Sequence, residues 1–298
     1  MNKLIIFIFV GLLAQFIDGA LGMAYGVTST TLLLTFGIAP AVASASVHIA
    51  EVATTAASGA SHIKFGNVDK KTVLKLIIPG SIGAFAGACF LSSLPGDLVK
   101  PYVSIFLLAL GIYVTIRFLF LVRQQQKVED KLEISAKKAV PLGLIAGFFD
   151  ATGGGGWGPI ATPVLLSQKG TSARKVVGTV DTSEFAIALS ASIGFIISLG
   201  WEQVNWLWAG ALMIGGVIAA PLAAWLVRKI PAHLLGVLVG GFIVLTNART
   251  LLQMWVPNQS LHPVIYGVIL LLWAGTIAFS VLKYREISRK EEAGEYQL

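Results

Sequence analysis

Seven apolar stretches, each about as long as a bilayer-crossing helix, follow one another along this chain, and no soluble fold uses such a series. They lie near 42–62, 75–94, 98–117, 176–198, 205–227, 233–254 and 262–283. Two further stretches, 4–36 and 139–165, are as apolar but are interrupted by glycine. They read Asp18-Gly-Ala-Leu-Gly-Met-Ala-Tyr-Gly26 and Asp150-Ala-Thr-Gly-Gly-Gly-Gly-Trp-Gly158. Each glycine costs a helix roughly 1 kcal/mol relative to alanine. Four in a row, with Pro159 close behind, predict a break. Composition agrees with the spans. Hydrophobic residues make up 55% and charged residues 12% of 298, where a soluble domain carries about 25% charged residues. That excludes a soluble enzyme, a disordered chain and a coiled coil. The expected class is an all-α integral membrane protein. The net charge of +7 points to loop orientation in a bilayer rather than to nucleic acid. A single cysteine, Cys89, leaves no intrachain disulfide and no cysteine-cluster metal site.

The two glycine-broken segments are copies. Gly11–Gly26 aligned on Gly143–Gly158, an offset of 132, matches at Gly11, Leu12, Ala14, Phe16, Asp18, Gly22 and Gly26. Chance would give roughly two matches in so apolar a stretch. With one residue inserted, Glu51 falls on Glu184, His48 on Asp181 and Ser46 on Thr179. Further on, Pro95 falls on Pro231 and Phe106 on Phe242. The expected organisation is a first repeat at 1–122, a basic cytoplasmic linker at 123–138 and a second repeat at 139–260. An extra membrane helix at 261–283 and a charged cytoplasmic tail at 284–298 complete it. Residues 1–19 have the look of a signal peptide, but their match to the second half places them in the mature protein.

Charge decides how the halves are oriented. If each broken segment enters and leaves on one face, 19 of the 22 basic residues lie on one side. Lys3 and Lys100 are then outside, and Arg249 is within a span. If each broken segment crosses once, the split is 10 against 11. The positive-inside rule favours the first arrangement. It predicts an inverted-topology repeat: seven full transmembrane helices plus two re-entrant or half-helix segments. Broken helices in inverted repeats are the mark of secondary transporters.

At this point the residues resemble a known family. The glycine-rich first segment of each half, with Asp18 and Asp150, resembles the sulfite exporter TauE/SafE family of membrane anion transporters. The most specific part is Gly147-Phe-Phe-Asp-Ala-Thr-Gly-Gly-Gly-Gly-Trp-Gly-Pro-Ile-Ala-Thr-Pro163. The first half departs from it, with fewer glycines and Thr31 where Pro163 stands. The resemblance implies export or uptake of sulfite, sulfonates or related small anions across a cell membrane, the bacterial inner membrane being expected, with no cofactor.

Charged residues inside apolar segments are expensive and usually functional. Here they are Asp18, Glu51, Asp150, Asp181 and Glu184, with His48 and Arg249. Ser44, His48, Glu51 and Thr55 fall on one helical stripe. Proton or ion coupling at Asp18, His48, Glu51, Asp150, Asp181 and Glu184 is one reading, and buried hydrogen bonds between helices are the other. Asp18 and Asp150 also suit N-caps for the half-helices that follow them. The glycine runs lack the Gly-Lys-Ser/Thr of a P-loop. They serve either close helix packing or an anion site. In the second reading the backbone N–H groups of Gly22, Gly26, Gly153, Gly154, Gly155, Gly156 and Gly158 converge near the midplane. Thr28, Ser29, Thr152 and Thr162 are candidate hydroxyl donors, and Arg249 adds attraction or pairs with a buried acid. Trp201, Trp206, Trp208 and Trp255 lie at segment ends, as an aromatic belt does.

Three functions remain on the sequence: a secondary transporter of small sulfur-containing anions, a passive anion channel, or an intramembrane enzyme. No Ser–His pair and no HExxH motif supports the enzyme. No ATP-binding segment supports a pump.

Overall fold

The computed structural model describes residues 2–21, 23–120, 132, 134–166, 168, 173–226 and 232–292. Among them there are eleven α-helices and no strand. These are α1 (Asn2–Leu21), α2 (Tyr25–Thr35), α3 (Pro40–Lys64), α4 (Lys70–Ser92), α5 (Gly96–Leu119) and α6 (Ala136–Gly153). They continue with α7 (Trp157–Leu166), α8 (Ala173–Leu199), α9 (Trp206–Leu226), α10 (Ala232–Trp255) and α11 (His262–Glu292). Gly22, most of the 123–138 linker, Lys169, Arg228, Lys229 and Pro231 lie outside the described residues.

Both expected breaks are present. The first broken segment divides into α1 and α2, and the second into α6 and α7. In each, a helix of 20 or 18 residues is followed by one of 11 or 10. At a rise of about 1.5 Å per residue the first is long enough to cross a hydrocarbon core and the second reaches about half way. Gly154 and Gly155 make the second break, with φ of 68° and 149°. A side chain is disfavoured in that left-handed region. The Gly155 N–H donates to the Asp150 carbonyl at 3.0 Å, which closes the end of α6.

By length and composition, α4, α5, α8, α10 and α11 are apolar enough to cross a membrane. α3 has the length, at 25 residues, but its Ser, Thr, His48 and Glu51 lower its hydropathy. It lies inside, against α8 and α9. α9 carries a described apolar stretch at Trp206–Ala219. Leu207, Ile78 and Leu271 are exposed on the outer face, where lipid is the solvent that makes such exposure favourable.

The helices pair in a regular pattern. α1 packs on α9 and α6 on α4; α2 packs on α3 and α7 on α8; α3 meets α8, and α5 meets α10. α11 lies against α10. Glycine sets the closest of these contacts. A Cβ on Gly83 would overlap the Leu144 carbonyl, and one on Gly215 would overlap the Ile8 carbonyl. Removing the side chain lets backbones touch, which is how membrane helices gain dispersion contacts without a hydrophobic driving force.

Candidate functional site

The two breaks meet. A Cβ on Gly155 would overlap the Gly26–Val27 backbone. One on Gly26 would stand 2.6 Å from the Gly155 Cα, 2.8 Å from the Gly154 carbonyl and 3.0 Å from a Glu51 oxygen. The Thr30 hydroxyl donates to the Gly154 carbonyl at 2.6 Å. Gly153 rests against the Phe106 ring.

Each break is capped by the aspartate before it. Asp18 Oδ1 accepts from the Ala24 and Tyr25 N–H groups at 2.8 and 3.2 Å. Asp150 Oδ1 accepts from the Gly156 and Trp157 N–H groups at 2.7 and 2.9 Å. A carboxylate at a helix N-terminus satisfies donors that have no partner within the helix and meets the positive end of its dipole. In this conformation these four N–H groups are therefore taken. The caps span six and seven residues rather than the two or three of an ordinary N-cap, because the donor helix begins only after the break.

Around the caps the structure gathers the other buried acids. His48 Nε2 lies 3.2 Å from Asp150 Oδ2 and 4.0 Å from Glu51 Oε2. His48 Nδ1 is 2.8 Å from the Ser44 carbonyl. That oxygen can only accept, so Nδ1 carries a hydrogen. The hydrogen bond from Nε2 to Asp150 then needs one more proton, held on the imidazole or on the carboxyl. Ser44 itself donates its hydroxyl to the Ala151 carbonyl at 2.6 Å. Glu51 is 1% exposed, yet neither carboxyl oxygen has a hydrogen-bond partner. Asp181 is buried, near Ser58 and within electrostatic range of Asp18. Glu184 is half-buried and within range of Glu51, Asp18, Asp150 and Asp181.

The hydroxyls divide. Thr28, Ser29 and Thr162 are buried with no partner, whereas Thr152 donates to the Phe148 carbonyl one turn back at 2.8 Å. Gly158 is buried at the start of α7. Arg249 stands apart. It is exposed, in a cleft of about 880 Å³ between α10 and α11, with Gln253, His262 and Tyr266. A buried polar side chain of α10 is instead Asn247, which donates to Thr31 Oγ1 at 3.0 Å. Among the described residues no lysine or arginine is buried, and no cluster of His, Cys, Asp and Glu is arranged to hold a metal ion.

Sequence reasoning missed Asn247, Thr30, Phe195 and His62. Phe195 is fully buried, with its ring centroid 5.9 Å from that of His48. His62 Nε2 is 3.9 Å from Asp181 Oδ2. The stripe of Ser44, His48, Glu51 and Thr55 continues along α3 through Ser58 to His62, and following it two turns further finds His62. Asn247 has no such signal, since Arg249 two residues on draws attention to the opposite face of α10.

The sulfite exporter TauE/SafE family profile matches residues 7–250. The chain is 67% identical over 284 residues to the "probable membrane transporter protein YtnM" of Bacillus subtilis (strain 168), covering 95% of this chain and 94% of that one. It is 31% identical over 196 residues to the "probable membrane transporter protein YdhB" of the same organism, covering 65% and 77%. No solved structure matches the chain. With its multiple apolar helices it is a multi-pass protein of the cell membrane, and it belongs to the sulfite exporter TauE/SafE family.

Proposed function

We propose that the chain is a proton-coupled secondary transporter of small sulfur-containing anions such as sulfite or a sulfonate, and not an enzyme. The observation that carries this reading is the acid cluster where the breaks meet. Asp18, Glu51, Asp150, Asp181 and Glu184 converge with His48 as the neutralising group beside them, and no lysine or arginine is buried among the described residues. Five charges of one sign in a low-dielectric interior repel one another and any anion. An anion can pass only when some of these acids hold protons.

The caps supply a coupling step. A charged carboxylate is a strong acceptor and a protonated one a weaker acceptor. Protonation of Asp18 loosens its hold on the Ala24 and Tyr25 N–H groups, and protonation of Asp150 does the same at Gly156 and Trp157. Freed N–H groups at a helix N-terminus are an anion site. The anion then lies between the 22–26 and 153–158 segments, with Thr28, Ser29 and Thr162 as hydroxyl donors. Arg249 is a remote attraction. Glu51 and Glu184 carry the exchangeable protons.

Alternating access follows if residues 1–122 and 139–260 are repeats of opposite orientation. The helix pairing supports a repeat, because exchanging α1–α5 for α6–α10 turns α1 on α9 into α6 on α4 and leaves α3 on α8 and α5 on α10 unchanged; the split of basic residues favours the opposite orientation. Cysteine labelling in a Cys89→Ser background tests the orientation. Lys169→Cys is expected to react only from the cytoplasmic side, and labelling from outside contradicts the inversion. Function is tested by sulfite uptake into proteoliposomes. Uptake that saturates and follows a pH gradient is expected; a conductance that ignores the gradient makes the protein a passive channel.

A further inference from the structure

The offset that places Glu51 on Glu184 also places His62 of α3 on Phe195 of α8. The two positions do corresponding things with different chemistry. Phe195 packs at a tilt beside His48, which holds Asp150, and is fully buried. His62 stands beside Asp181, which lies within electrostatic range of Asp18, and its side chain is 26% exposed. One flank of the acid cluster is closed by a phenyl ring and the other is reached from solvent through an imidazole.

We infer that His62 is the proton port of the acid cluster, passing protons between solvent at the α3 C-terminus and Asp181. This deepens the proton-coupled reading above and rests on it. His62 Nδ1 faces the Asn67 amide nitrogen at 3.4 Å. An amide nitrogen can only donate, so Nδ1 accepts and the neutral ring carries its hydrogen on Nε2, toward Asp181. The 3.9 Å gap from Nε2 to Asp181 Oδ2 closes with a small side-chain rotation. Asp181 Oδ2 has no hydrogen-bond partner, and neither do the nearby Asn67 Oδ1 and Thr182 Oγ1. A proton taken up at Nδ1 makes the imidazolium, which gives its Nε2 proton to Asp181 and is left as the neutral Nδ1–H tautomer; proton exchange with solvent then restores the Nε2–H form. Histidine suits this task because its charge changes near neutral pH.

The described charged groups around this end lie on α3, at the start of α4 and on α8. On α3 itself Lys64 is exposed. Asp69 caps α4 and its backbone N–H donates to Thr179 on α8 at 2.9 Å. Lys70 follows it, and Lys175 lies near the start of α8. Behind Asp181 stand Asp18 of α1 and Glu184 of α8. α9 has no titratable side chain in Trp206–Leu226. α2, α5 and α6 meet α3 nearer its other end, where Glu51 approaches Gly26, Ala39 approaches Gly96, and Ser44 binds Ala151.

The test needs no transported substrate. The full chain in lipid nanodiscs is transferred to D2O and the infrared carbonyl band of protonated carboxyls is followed as it shifts on deuteration, with Asp181→Asn and Glu51→Gln assigning the bands. In the wild type the Asp181 band is expected to exchange rapidly. His62→Ala should slow it about tenfold or more, and millimolar imidazole should restore the rate, as a mobile proton carrier replaces the lost one. His62→Phe, which copies Phe195, should be slow and unrescued. A His62→Ala band exchanging at the wild-type rate, or slowed without rescue by imidazole, overturns the port and leaves the coupling reading standing. A wild-type protein with no protonated carboxyl band overturns the coupling reading itself.

Discussion

The two glycine breaks share a scaffold and differ in what faces it. In both, an aspartate reaches across the gap to cap the short helix beyond, by two N–H bonds between 2.7 and 3.2 Å. At the second break that aspartate also holds His48 at 3.2 Å, in a pocket closed by Phe195. At the first, the position matching His48 is Asp181, so the group within electrostatic range of the capping aspartate is another acid. The two breaks share the backbone device and differ in the partner residue, a histidine at one and an acid at the other. The second break thereby has a hydrogen-bonding partner for its carboxyl. The first is a place where two carboxyls cannot both be charged without repulsion, which favours a group that changes protonation in use.

The largest predicted effect removes the crossing common to both breaks. Gly155→Leu puts a side chain at φ 149° and into the Gly26–Val27 backbone, which should cost about 3 kcal/mol or more. Thermal unfolding in detergent should show a much lower Tm, and sulfite binding should be lost. A near-normal Tm with undiminished binding would mean that the breaks do not meet as described. The comparison itself is sharpened by paired alanines. Asp18→Ala removes a cap, worth about 1 kcal/mol. Asp150→Ala removes a cap and strands buried His48, adding roughly 1–3 kcal/mol. The Asp150 variant should therefore unfold at the lower temperature; equal shifts would deny the asymmetry. The smallest effect belongs to Arg249→Gln. An exposed charge contributes about 1 kcal/mol at most, so sulfite uptake should fall no more than a few-fold. A complete loss would move the anion site to the α10–α11 cleft.

Much of the architecture was legible because the bilayer leaves few options. Seven apolar stretches read from the sequence correspond to α3–α5 and α8–α11, with boundaries shifted by a few residues and a longer extension only at the end of α11. Both glycine interruptions are breaks, and at the second the backbone reason is the expected one, with Gly154 and Gly155 at positive φ. α3 shows where hydropathy alone falls short. Its polar stripe lowers its apolar character, yet it is a long interior helix because that stripe faces the acid cluster. At the site, the match of Asp18 with Asp150 and of Glu51 with Glu184 was visible as repeat and spacing. The pairing of His48 with Asp150 was not, since 102 residues separate them and only the packing of α3 on α6 brings them together. Arg249 was singled out as a charge in a span, and the structure puts it on an exposed face. Hydropathy identifies the span but not which side of the helix turns inward.

The central claim is that the buried glutamates carry the protons that accompany the anion. The most direct measurement is pH-gradient-driven sulfite accumulation in proteoliposomes by the wild type, Glu51→Gln and Glu184→Gln, alongside their Tm values. The account predicts that either glutamine variant folds with a near-normal Tm and no longer responds to the gradient. Glu51, which makes no hydrogen bond that the change would break, is the cleaner of the two. Wild-type gradient dependence in both variants would contradict it and make these acids structural.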